Sequence, residues 1–330
     1  MQFLIGIIAW GVVLFVMVIG FRFGYYTLPM TDAQTAVETV VTIPAGMTTR
    51  EIGRMLEEQQ IIRSGEVFAL ISRALGVDGS LMAGNYSLSP GMNLLEIIRR
   101  LRAGEVITYR VTIPEGANIR EIATILENRG LVDRERFIEL AMDSSLIYGD
   151  NFPLEKPIPS LEGYLYPDTY LFTDSSEETI IKRMVDQFIK TVVPVVEQAE
   201  SKYSLHEILT LASIVEKEII YHDERALVAA VYHNRLEQGM RLQADPTIQY
   251  ILERPVSRLL YSHLQIESPY NTYRNDGLPP GPIGNPGIRS IEAVLNPADV
   301  DYLFFVARGD GRHHFSRTFA EHVDARRMYQ

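Results

Sequence analysis

The chain contains no cysteine, so it holds no disulfide, no thiolate nucleophile and no cysteine metal site. Positive charge is also scarce: 31 Lys and Arg stand against 42 Asp and Glu, for a formal charge of -11. A nucleic-acid surface needs a basic stripe to neutralise phosphates, and none is present, so no nucleic acid is expected as a partner. The seven histidines have no HExxH or similar ligand spacing, and the adjacent His313 and His314 diverge if they lie on a strand. No metal is expected. Neither a P-loop nor a GxGxxG motif occurs, which removes support for a nucleotide, and no cofactor is expected. What remains is a globular composition, 46% hydrophobic and 22% charged, in 330 residues, enough for two domains with their own cores.

One long apolar run stands out. MQFLIGIIAWGVVLFVMVIGF, residues 1–21, carries no charge before Arg22 and is long enough to cross a bilayer core of ~30 Å. A membrane-spanning helix is therefore expected over 1–23. A cleavable signal would show a basic start, a shorter apolar run and a small-x-small site, and these are not evident. Arg22 is the only nearby basic residue, so charge bias does not orient the segment. Residues 24–38 read as a linker.

Behind the linker lies a repeat. VTIPAGMTTREIGRMLEEQQII from Val41 returns as VTIPEGANIREIATILENRGLV from Val111, with ten residues recurring at one fixed offset. A weaker copy, YSLSPGMNLLEIIRRL, begins at Tyr86. Each copy predicts a short β-branched strand halted by Pro and Gly, then an amphipathic helix. Thr48 with Glu51, and Asn118 with Glu121, have the spacing of an N-cap and its N3 carboxylate. Ile52, Met55 and Leu56, then Ile122, Ile125 and Leu126, form the apolar stripes. A second helix over roughly 65–75 and the strand AGNYSLS complete a strand-helix-helix-strand module. We place this module at 39–107 and a second domain at 108–330, in which 111–141 repeats the strand-helix pattern. The predicted fold class is α+β.

The second domain turns aromatic at LEGYLYPDTYLF, then helical from about 177 to 238. Ser204 and Glu207 form another capping pair, so a helix starts there and carries LASIVEKEII, residues 211–220, in its later turns. Two carboxylates in so apolar a segment either reach water, find a partner, or stay for chemistry. On a helical wheel Glu218 shares a face with Leu211, Ile214 and Val215. Glu216 is flanked by Leu209, Ala212 and Ile220. They border the apolar arc from opposite edges, and periodicity does not choose between them. Pairing of either with Lys217 or Arg225 is the structural alternative. A glutamate kept poorly hydrated holds its proton toward neutrality, which is what a general acid for glycosidic cleavage requires.

LASIVEKE, HNRLEQGMRLQADPTIQY, SPYNTYRNDGLPPGPIGNPG and HHFSRTFAEH, in that order behind one apolar segment and an IPxG repeat, resemble the endolytic murein transglycosylases of the MltG (YceG-like) family. The resemblance covers about 41–324. It implies a LysM-like first module and a mixed α+β catalytic domain with a lysozyme-like catalytic helix. It also implies a lyase that cleaves the β-1,4 bond from MurNAc to GlcNAc in peptidoglycan without water, leaving 1,6-anhydroMurNAc ends. The family's catalytic glutamate falls on Glu218, with Glu216→Gln expected to retain activity.

A distant likeness to lysozyme-like lytic transglycosylases points to Gln243, in GMRLQ, and to Tyr270-Asn271, with Thr272 and Tyr273 beside them, as sugar contacts. The GMRLQ stretch has one more residue between Gly and Gln than that pattern. Glu162 and Tyr166 are further candidates to line the cleft, with core packing the alternative for the tyrosines. Arg235 is read as a partner of Glu218 or as one half of a surface ion pair. Asp245 has two readings: an N-cap before Pro246, or the second carboxylate of a lysozyme-like hydrolase acting with Glu218. From another class comes a non-catalytic peptidoglycan-binding membrane anchor. The expected setting is the bacterial inner membrane, crossed once, with the body in the periplasm beside glycan strands, penicillin-binding synthases and the division or elongation machinery.

Overall fold

The structure, a computed structural model, describes residues 10, 17, 20–21, 24–173, 176–252 and 255–329. Most of the expected membrane segment, 1–23, lies outside the described residues. Among those described, no helix is long and apolar enough to cross a membrane. The fold is mixed α+β, and the chain divides into two compact units, Met1–Tyr109 with Leu171–Asp174, and Arg110–Tyr170 with Ser175–Gln330.

In the first unit strand β1 (Thr39–Ile43) pairs antiparallel with β2 (Gly84–Leu88), placing Val41 opposite Tyr86. Between them run helices α1 (Thr49–Glu58) and α2 (Gly65–Ala74), and α3 (Leu94–Ala103) follows. The order strand-helix-helix-strand is therefore as the sequence predicts. Val41, Ile43, Tyr86 and Leu88 alternate inward to meet Ile52, Leu56, Phe68, Ile97 and Leu101, all essentially buried. Each such side chain contributes roughly 1.5–3 kcal/mol by leaving water. Residues 28–36, expected as part of a featureless linker, are held: Met30 N and Thr31 N both donate to Pro90 O, at 2.7 and 3.2 Å.

The second unit opens with the repeat. Strand β3 (Tyr109–Thr112) precedes α4 (Ile119–Glu127), whose buried residues Ile119, Ile122, Ala123 and Leu126 match Thr49, Ile52, Gly53 and Leu56 of α1 position for position. Both helices carry the reciprocal capping box that their Thr48–Glu51 and Asn118–Glu121 spacing predicts. Beside β3 runs β4 (Thr169–Phe172), with Ile113 N donating to Asp168 O at 2.9 Å. Helices α5 (Arg134–Met142), α6 (Ser145–Tyr148), α7 (Glu177–Thr191) and α8 (Val193–Glu197) then lead to α9 (Leu205–Glu218).

Helix α9 is the centre of this unit. It starts on the expected Ser204–Glu207 capping box, and Ile208 to Val215 are buried in succession. A helix apolar on every side must be covered on every side. Here α10 (Arg225–Glu237), α11 (Asp245–Ile251) and α12 (Ile288–Leu295) cover it. Strands β5 (Phe304–Ala307) and β6 (His313–Ser316) form an antiparallel hairpin, and α13 (Phe319–Tyr329) ends the chain.

The proline-rich loop 277–287 seats on the second copy of the repeat turn. Gly116 N donates to Asn285 O at 2.7 Å and Asn285 N returns a bond to Ala117 O at 3.0 Å. At Gly284 an added Cβ would fall 2.4 Å from Gly116 O, so only glycine allows this approach.

Candidate active site

Charge first reappears at the end of α9, where Glu216, Lys217 and Glu218 follow the buried run. The structure separates the two glutamates. Glu216 turns toward α12 into a closed network: Arg225 Nη2 lies 2.8 Å away, Ser290 Oγ donates at 2.7 Å and Gly287 N at 3.0 Å. Its side chain is 8% exposed and that of Arg225 5%. The expected pairing with Arg225 is thus present, and it occupies Glu216 structurally.

Glu218 turns the other way, toward α10, where the Tyr232 hydroxyl donates to its Oε1 at 2.7 Å. Burial pushes its pKa up to about 7, with Asp245 adding to the rise while Tyr232 and Arg235 oppose it. A position in the last turn works in the same direction, because the C-terminal end of a helix disfavours an anion. The carboxyl faces a cavity of about 600 Å³. Gln243, Asp245 and Tyr273 line it from one side, and Phe304, Phe305 and His313 from the hairpin.

Two pinned loops set these side chains. Gln243 N donates to Thr272 O at 3.1 Å, and Ala244 N to Thr272 Oγ1 at 2.9 Å. Gln243 sits at φ 49°, in the left-handed region that non-glycine residues adopt at a cost of about 1–3 kcal/mol and that clusters at functional sites. The N-cap of α11 is Ala244, and Asp245 is the first helical residue with no capping bond. The N-cap reading of Asp245 is therefore corrected: one residue further along, its carboxylate looks into the cavity and accepts from Tyr273 Oη at 2.5 Å.

Of the other expected contacts, Asn271, Tyr270, Tyr166 and Glu162 are not among the side chains that line this cavity. Asn271 is fully buried, its Nδ2 donating to Leu264 O and Ile266 O and its Oδ1 accepting from Tyr273 N. It shapes the loop that presents Tyr273. Tyr270 packs on Tyr250, ring centroids 5.1 Å apart. Tyr166 packs on the core and receives the Tyr170 hydroxyl at its carbonyl, 2.6 Å. Arg235 is not in a surface ion pair: it is 7% exposed, lines the cavity, and donates to Leu303 O at 2.7 Å and Leu242 O at 2.5 Å.

Glu162 is 1% exposed and ties three segments together. It accepts from Ile119 N at the start of α4, from Asn285 Nδ2 at 3.1 Å and from Tyr250 Oη at 3.3 Å. Burial drives its pKa up to about 8 from an ordinary 4.5. The folded protein then keeps a proton that the unfolded chain releases, so stability falls as pH rises from about 4.5 to about 8, by at most ~1.4 kcal/mol per pH unit. Glu162→Gln should flatten melting temperature against pH over that window, leaving the smaller slope due to Glu218; an unchanged slope would refute the assignment.

In the sequence Tyr232 is one more apolar position beside Val228 and Val231, all three buried on α10, and only the fold shows its bond to Glu218. That bond stabilises the carboxylate. Without it the proton is held more tightly, so in Tyr232→Phe the basic limb of kcat/KM should move upward by about one pH unit. A limb that stays put or moves down would rule out the contact's role.

A sequence model of the YceG-like family matches residues 41–328. The endolytic murein transglycosylase of Bacillus subtilis strain 168 is 36% identical over 318 residues, 90% of this chain and 86% of that protein. The protein of the same name from Streptococcus pneumoniae serotype 2 strain D39 is 30% identical over 344 residues, 93% of this chain but 62% of that longer protein. A YceG-like protein of Listeria monocytogenes, known from a 2.6 Å crystal structure, is similar at a TM-score of 0.58 and 36% identity, over 88% of this chain and 99% of that one. Matched in sequence along nearly its whole length and in fold over most of it, the chain belongs to the YceG-like family.

Proposed function

We propose that the chain is an endolytic lytic transglycosylase that cuts the β-1,4 bond from MurNAc to GlcNAc in peptidoglycan and leaves 1,6-anhydroMurNAc ends. The observation that carries this reading is the carboxyl of Glu218 facing a cavity of about 600 Å³, where burial pushes its pKa up to about 7. The name shared by its bacterial relatives supports it.

At neutral pH a substantial fraction of Glu218 keeps its proton and donates it to the departing glycosidic oxygen as the C1–O bond breaks. The carboxylate so formed is held by the Tyr232 hydroxyl. It then takes the proton of the MurNAc C6 hydroxyl as that oxygen closes on C1. Atoms balance with no water consumed, and Glu218 ends protonated. In this reading Gln243 and Asp245 contact the sugar, and the family's lysozyme-like catalytic helix is α9.

Asp245 gives a second reading some footing, because it shares the cavity and a hydrolase needs two carboxylates. Mass spectrometry of released fragments separates the two. Anhydro ends are one water lighter than reducing ends, and fragments ending only in reducing sugars would overturn the transglycosylase.

The same proposal gives residues 1–23 the role of a single inner-membrane span and sets the body in the periplasm. There a tether raises its effective concentration at newly made strands, beside the synthases that extend them. The β1-α1-α2-β2 module is proposed as LysM-like.

A further inference from the structure

The hairpin wall of the cavity carries a polar group that the chemistry above leaves unused. His313, opposite Ala307 in the β5–β6 register, is bound twice by one carboxylate. Its backbone N donates to Glu224 Oε1 at 3.0 Å, and its Nδ1 lies 2.8 Å from Glu224 Oε2. The two side chains are 9% and 6% exposed. Glu224 stands on the short turn His222–Glu224 that follows the acid's helix. The ring is also wedged edge-on against Phe305, at 5.1 Å and 78°, and Phe305 in turn meets Tyr232 at 5.9 Å and 86°. The imidazole is thus fixed in place and in rotation, within one aromatic contact of the hydroxyl that holds Glu218.

Its tautomer is fixed as well. A carboxylate only accepts, so Nδ1 carries the hydrogen, and the neutral ring is left with a lone pair on Nε2. Among the described residues Nε2 makes no hydrogen bond, and His313 lines the cavity into which Glu218 faces. A rigidly held acceptor that meets no protein donor, open to a cavity that takes a hydroxyl-rich polymer, is built for a ligand hydroxyl.

We propose that His313 Nε2 accepts a hydrogen bond from a sugar hydroxyl of the bound glycan, with Glu224 as the residue that positions the ring. The proposal rests on the glycan-cleaving reading above. It makes His313 a substrate-orienting contact on the cavity that Gln243 and Asp245 also line.

Two isosteres test it, because Asn places a polar atom near the site of Nδ1 and Gln places one near the site of Nε2. His313→Gln should keep kcat/KM on purified glycan strands within about threefold of wild type, whereas His313→Asn should lose about tenfold, one hydrogen bond's worth. A merely structural clamp predicts the reverse order, since Asn keeps the Glu224 bond. An Asn variant equal to Gln, or better, overturns the proposal.

Should either variant melt early, ¹⁵N NMR of the ring replaces the kinetics. In Glu218→Gln protein, adding a GlcNAc–MurNAc tetrasaccharide should shift the His313 Nε2 resonance, and a resonance that does not move overturns the contact. Failure of the parent reading is separately visible: wild-type enzyme would release no anhydro ends.

Discussion

Glu218→Gln should cut the release of anhydro-ended fragments by roughly 10²- to 10⁴-fold, the range that a positioned general acid contributes. The substitution keeps size and shape, and the Tyr232 hydroxyl can still donate to the side-chain carbonyl oxygen. What it removes is the transferable proton. Folding should not suffer and should improve slightly near neutral pH, because a carboxyl pushed up to about 7 by burial is costly to ionise there and an amide is not. Loss of activity with an equal or higher melting temperature, measured on the same preparation by fragment mass spectrometry and calorimetry, is the expected pair. A variant that still releases anhydro ends at the wild-type rate would remove Glu218 from the chemistry.

Glu216→Gln should do the opposite. Here the carboxylate faces Arg225 at 2.8 Å with both side chains buried, and it also receives Ser290 Oγ and Gly287 N. An amide supplies one acceptor atom where two are used and turns its NH₂ toward donors. Removing one partner of a buried ion pair costs about 3–5 kcal/mol because the other charge stays buried, and with Glu115 3.6 Å from Arg225 as a remaining counter-charge the lower end, about 3 kcal/mol, is expected. For a unit of this size that is a fall in melting temperature on the order of 10 °C. Activity per folded molecule should persist below the new transition, as the sequence led us to expect. If Glu216→Gln melted like wild type while losing activity, the two glutamates would have to exchange roles.

The helical wheel could not have made this distinction. It put both carboxylates at the edges of one apolar arc, and their roles depend on what each edge meets: the Gly287–Ser290 start of α12 on one side and Tyr232 of α10 on the other. Local features were legible. The capping pairs at Thr48, Asn118 and Ser204 need only three residues of context, and all three form in full. The duplicated strand-helix units were legible for the same reason.

Asp245 shows how narrow the margin is. Shifting a helix start by one residue turns a cap into a cavity wall, and Pro246 is compatible with either position. Glu162 and Asn271 are hard to place from sequence for a different reason. Polar residues in aromatic, turn-rich stretches have the same local signature whether they meet a ligand or the backbone, and Glu162 finds its partner Asn285 more than a hundred positions downstream. No pattern within a helical turn or two encodes such a meeting.

The duplicated Pro-Gly turn has meanwhile acquired two unequal workloads. Around Gly46 an added methyl would touch nothing within 4 Å, whereas at Gly116 it would come 3.2 Å from Cγ of Glu216, and the carbonyl of Gly116 already abuts Gly284. One copy is an unencumbered bend. Its twin has become a bearing on which the end of the acid's helix rests, so drift that the first tolerates would be transmitted by the second straight to the reaction centre.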